Sequence, residues 1–141
     1  MKRLYYAFCI AHCVLAIGCG SRSHITGLVD VQITVMQEGK PLEKAIVVLE
    51  SPSVMFSPSG ITDKDGVAII YTSGTERGAP QGEYKVCVIK METIELGERV
   101  ETWRYVEEKY ATSATTPLSV SVSGKTKASV DAGKAIKVEV K

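Results

Sequence analysis

Two aspartates at 63 and 65, a cysteine at 87 and a scatter of serines are the side chains whose types could do chemistry, and their spacing limits each of them. Asp63-Lys64-Asp65-Gly66 has the opening of a calcium loop, in which alternate carboxylates converge on a hard cation. Such a loop also needs further oxygen ligands and a glutamate about a dozen positions in. Ile69 and Ile70 stand where those ligands should be, so these residues are read as a hairpin turn with no metal. Both histidines, His12 and His24, fall in the first 24 residues. The serines beyond them therefore lack the base that a common nucleophilic triad requires, and no histidine-bearing zinc site can be assembled there. Cys87 lies between Val86 and Val88, so strand alternation puts it on one face with Lys85 and Ile89. That predicts a thiol on the solvent side or only partly covered. Redox use would need a partner cysteine or a depressed pKa, for which only Lys85 and Lys90 are at hand. The thiol is read as inert, and neither a catalytic residue nor a cofactor is expected.

Lys2 and Arg3 precede an apolar run from Leu4 to Ile17. A basic head followed by an apolar run of about a dozen residues suits a secretory signal and is short for a membrane span. The run ends Leu15-Ala16-Ile17-Gly18-Cys19, which resembles a bacterial lipobox, where small residues precede a cysteine that becomes the lipidated N-terminus. Ala16 departs from that pattern, because a larger aliphatic residue is usual there. The resemblance implies a lipoprotein signal peptide over 1–18 that is removed, lipidation of Cys19 and a lipid-anchored tether over 19–27. It also implies a place in the bacterial cell envelope, attached to a membrane through Cys19, with the domain outside the cytoplasm. Processing there leaves 141 less 18, or 123 residues, enough for one domain with a core and too few for two. Loss of Lys2 and Arg3 takes the formal charge from +1 to −1, so nucleic acid is not an expected partner. Cys9 and Cys13 leave as well, so Cys87 has no partner for an internal disulfide and no cysteine-rich zinc site can form.

The elements that position these residues read as strands. From Val29 to Met36, apolar side chains at 29, 31, 33 and 35 alternate with polar ones, the pattern of a half-buried strand. Ala45–Glu50 is a continuous aliphatic run that suits a strand buried on both faces. Gly60–Thr62, Val67–Thr72, Tyr84–Met91, Leu118–Val122 and Ala135–Val140 complete about seven strands. Asp65-Gly66 and Pro80–Gly82 supply turns between them. Tyr84, Val86 and Val88 line one face. The expectation is an all-β chain, an antiparallel β-sandwich. The stretch Glu92–Thr116 is different: Val100, Trp103, Val106 and Tyr110 recur at roughly helical spacing, but Gly97 and β-branched neighbours weaken a helix. An excursion with at most a short helical turn near Val106–Tyr110 is expected.

Several of these turns have a familiar order. Gly39-Lys40-Pro41-Leu42-Glu43-Lys44-Ala45, Thr62-Asp63-Lys64-Asp65-Gly66 and Gly82-Glu83-Tyr84-Lys85-Val86 resemble successive motifs of the carboxypeptidase regulatory-like domain, which is transthyretin-like (prealbumin-like). Glu108-Lys109-Tyr110 followed by Thr115-Thr116-Pro117-Leu118 is similar to the segment before the sixth strand in small bacterial lipoproteins that carry only this domain. The resemblance covers 28–141 and implies a seven-stranded transthyretin-like sandwich that binds rather than catalyses. A purine-pathway hydrolase of related fold would need histidines and a Tyr-Arg-Gly-Ser tail; the body of this chain has no histidine, and it ends differently. The Lys–Asn isopeptide bonds of adhesin repeats are excluded because the chain has no asparagine, while a Lys–Asp bond stays open.

Charge is uneven. Glu92–Tyr110 holds six glutamates against Arg99, Arg104 and Lys109, and Gly124–Lys141 holds five lysines against Asp131 and Glu139. These read as two solvated surfaces that can touch each other. Trp103, Arg104 and Tyr105 combine the residue types that dominate binding hot spots and form the candidate interaction surface. The first functional expectation is a lipid-anchored, non-enzymatic envelope protein that contacts another protein or a glycan. The second is a structural envelope component that self-associates through strand edges as a homo-oligomer. An enzyme is the third, with no residues to carry it.

Overall fold

The computed structural model describes residues 25–140, so the expected signal peptide at 1–18 and Cys19 lie outside the described residues. Within them the chain is all-β. In order come β1 (Leu28–Val29), β2 (Val31–Gln37), β3 (Lys40–Pro41), β4 (Ile46–Glu50), β5 (Ser59–Ile61), β6 (Val67–Ile69), β7 (Tyr71–Thr72) and β8 (Glu76–Arg77). They are followed by β9 (Ala79–Pro80), β10 (Gly82–Ile89), β11 (Met91–Leu96), β12 (Arg99–Arg104), a 3-10 turn (Glu108–Tyr110), β13 (Ser119–Val122), β14 (Thr126–Asp131) and β15 (Val138–Val140).

Two sheets face each other in a sandwich-like arrangement. The larger has the order β13-β10-β4-β5-β7-β8, and the smaller is β14-β2-β3, with β6 also pairing β2. The alternation of β2 buries Val31, Ile33 and Val35. Val47, Leu49, Tyr84, Val86, Val88, Val120 and Val122 meet them from the larger sheet in one apolar cluster. Each aliphatic side chain taken fully out of water contributes about 1.5–3 kcal/mol. Tyr84 is the largest side chain fully buried in this layer, and its hydroxyl donates to the Pro80 carbonyl at 2.8 Å.

The turns form where the residue types allow them. Glu38 and Gly39, both at positive φ (49° and 75°), make the two-residue reversal between paired Gln37 and Lys40. In the Asp63–Gly66 turn, Asp63 Oδ1 accepts the amides of Asp65 and Val67, each at 2.9 Å. Gly66 sits at φ 74°, where a Cβ would come within 2.7 Å of the Val35 carbonyl. The carboxylate is thus engaged by its own turn.

Four expectations change. Ala45–Glu50 is not buried on both faces: Val47 and Leu49 point inward, while Ile46 is exposed and Val48 half-buried, because the outer face of the larger sheet is left partly open at β4. Val67–Thr72 is not one strand. It passes from the smaller sheet (β6) to the larger (β7) at Ile70, whose amide donates to the Val31 carbonyl. The pairing is antiparallel throughout except between β14 and β2, which run parallel from Thr126↔Val31 to Asp131↔Met36. Ala135–Val140 contributes β15, which pairs outside the sandwich altogether.

The registers also give the sandwich two poles. β4 ends at Glu50 opposite Lys85, three residues after β10 has started at Gly82. The 51–58 loop, the 73–75 turn and the 123–125 turn therefore share one end with Pro80 and its partner Leu28. β2 begins at that end and finishes with Gln37 at the other, where β10 passes into β11.

Candidate functional site

β11 and β12 form a hairpin paired from Met91↔Arg104 to Leu96↔Arg99, and β15 adds to β12 from Thr102↔Val140 to Arg104↔Val138. Gly97 (φ 66°) comes first in the two-residue loop Gly97-Glu98, the position a type II′ turn reserves for glycine. The resulting three-stranded sheet stands at the pole away from Leu28, and solvent reaches both its faces. One face carries Glu92, Ile94, Leu96, Glu101 and Trp103, and the other carries Met91, Val100, Thr102, Arg104 and Val138. Leu96 is 54% and Val100 64% exposed, so neither face serves as a core. The outer edges of β11 and β15 have no strand partner among the described residues.

Gln37 ties this sheet to the sandwich. Its side chain is buried at the end of β2, and Nε2 donates to the carbonyls of Tyr105 (3.1 Å) and Lys134 (3.4 Å), gripping the chain just after β12 and just before β15. The backbone adds Tyr105 N–H to the Lys90 carbonyl at 2.9 Å. Sequence reasoning missed Gln37, because a glutamine at a strand end gives no signal until its partners, 68 and 97 positions away, are placed.

Trp103 is half-buried and lies outside the core cluster, with Lys137 Nζ 4.6 Å from its ring centroid. Such a cation over an indole face is attractive and holds the ring in place. Arg104 projects from the opposite face, its Nη1 3.0 Å from Glu108 Oε2, while its Nε is buried without a partner among the described residues. Tyr105 donates its hydroxyl to Glu92 at 2.9 Å, a bond that pushes the phenol above its usual pKa. The three residues therefore share one strand end and divide between two faces. The acidic and basic segments do meet: β12 pairs β15, and Lys137 covers Trp103. The short helical turn is present at Glu108–Tyr110, but Val106 and Tyr110 belong to the sandwich core.

Cys87 corrects the expectation of a solvent-side thiol: it is 1% exposed. Before β13 the chain runs alongside β10, with the 3-10 turn packed against that strand and Thr116 Oγ1 donating to the Val86 carbonyl at 2.8 Å. Burial, reinforced by the Glu50 carboxylate, pushes the thiol up to about 11. This environment is the opposite of the one that generates a reactive thiolate. Among the described residues, no lysine belongs to the buried core, so a buried Lys–Asp bond has no donor there.

No family model matches the chain, and neither a curated protein nor a solved structure matches it.

Proposed function

We propose that the chain is a lipid-anchored, non-enzymatic binding module of a bacterial envelope, a transthyretin-like sandwich over 28–141 held to a membrane through Cys19. The observation that carries the binding part is the β11-β12-β15 sheet. It is open on both faces, unpaired at both edges among the described residues, and set at the pole opposite Leu28. A tether at one pole and an open sheet at the other would present Trp103, Arg104 and Tyr105 away from the membrane, toward an envelope protein or glycan. Mass spectrometry of membrane-extracted protein should find acyl-modified Cys19 at the N-terminus, and Cys19→Ser should abolish it; a mature terminus elsewhere would remove the anchor. Saturable binding to envelope material by the immobilised protein should weaken about tenfold with Trp103→Ala, the size of a hot-spot truncation, with little change in melting temperature.

The unpaired edges of β11 and β15 favour a second reading, assembly with copies of itself through added strands. Sedimentation that shows concentration-dependent self-association, with no saturable foreign binding, would select it.

A further inference from the structure

The loop after β4 belongs to a stretch without charge from Ser51 to Thr62, and its tip is apolar. Met55 is 90% exposed and Phe56 50% exposed. This tip is built rather than slack. Val54 packs against the core, its amide reaching the Ser51 carbonyl at 3.3 Å, and Ser51 and Ser53 share a hydroxyl bond of 2.9 Å. On the far side Pro58 is buried, and its carbonyl accepts the Leu49 amide at 2.8 Å. Both ends of the loop are thus fixed, and Met55-Phe56 is held outward between them.

We propose that this loop is a lipid-contact wedge, with Met55 and Phe56 seated in the surface of the membrane that holds Cys19; the inference rests on the lipid-anchor reading above. Placement argues for a lipid surface as the occupant. The loop closes the same end of the sandwich as Leu28 and its partner Pro80, near which the described chain begins. Ile25 follows Cys19 by six positions, so the tether between them can span at most roughly 20 Å. β8, beside which the described chain begins, lies three strand spacings from β4, roughly 14 Å. The loop is therefore within the zone that so short a tether keeps at the membrane. An anchored chain presents the loop to lipid at high effective concentration, so two apolar side chains suffice where a free protein would need more. The absence of charge from Ser51 to Thr62 removes the desolvation cost that a charged tip would carry. Seating this pole points the β11-β12-β15 sheet away from the surface.

The test uses the acylated mature protein in phosphatidylethanolamine–phosphatidylglycerol vesicles containing lipids brominated on the acyl chains. The native chain has one tryptophan, Trp103, at the far pole; its emission should be unquenched. Phe56→Trp in a Trp103→Phe background should be quenched at least twofold and blue-shifted, and adding Met55→Asp should reverse most of that quenching. Circular dichroism checks that each variant folds. A protein that floats with the vesicles while the indole introduced by Phe56→Trp stays unquenched overturns the wedge and leaves the anchor standing. A protein that carries no acyl group and does not float overturns the anchor, and the wedge with it.

Discussion

Cys87 and Tyr84 stand on opposite faces of β10, and both are closed off from water. The Cys87 thiol has a folded pKa of about 11 against an ordinary value of 9.0. A group whose folded pKa is raised contributes stability that is fully present below its unfolded pKa and lost as pH climbs through the folded one. Wild-type melting temperature should therefore fall between about pH 9 and pH 11 more steeply than that of Cys87→Ala. Native protein should also resist iodoacetamide at about pH 8 and react once unfolded; rapid native alkylation would contradict the burial. For Tyr84, truncation and loss of the hydroxyl separate cleanly. Tyr84→Ala should cost about 3–5 kcal/mol as a large-to-small core change. Tyr84→Phe, which loses only the bond to Pro80, should cost about 1 kcal/mol in urea denaturation.

At the scale of elements, Gln37 makes the β11-β12-β15 sheet a separately tethered unit. Gln37→Ala removes two hydrogen bonds to Tyr105 and Lys134, worth about 1 kcal/mol each. Amides of β11, β12 and β15 should then exchange roughly thirtyfold faster while those of β2 and β10 hold their rates. Equal acceleration throughout would mean that the sheet and sandwich open together. The same elements mark what could be read from the sequence. β2 and β10 were legible because one face of each meets the sandwich core, which imposes period two on the residues. The β11–β12 hairpin was not, since a sheet wet on both faces has no inside to enforce alternation. Val100, Trp103, Val106 and Tyr110 then mimicked a helical period although they belong to two different units. Gly97-Glu98 was the available turn signal. β14 left even less trace, with Val130 its one buried apolar side chain and no hairpin turn joining it to its parallel neighbour. For the candidate surface, the sequence showed the residue types of Trp103, Arg104 and Tyr105 but not their division between faces, nor Lys137 over the indole.

Taken whole, the molecule is a sandwich with distinct poles, and its smaller sheet is closed by strands from opposite ends of the described chain. Val31 pairs with Thr126, 95 positions later, so forming that contact closes a long loop of intervening chain. Contacts so distant in sequence are costly in loop entropy and slow to form, which puts refolding in the millisecond-to-second range typical of sandwich topologies. Stopped-flow kinetics should show Val130→Ala mainly accelerating unfolding, because its packing comes late; a mutation that chiefly slowed folding would place β14 in the nucleus instead. The parallel pair thus sets a schedule. Throughout the interval before residues 126–131 dock, one side of β2 offers the open hydrogen-bonding edge of Val31-Gln32-Ile33-Thr34-Val35 to any other nascent chain. Whatever compartment this protein matures in has to keep that edge from finding a stranger first.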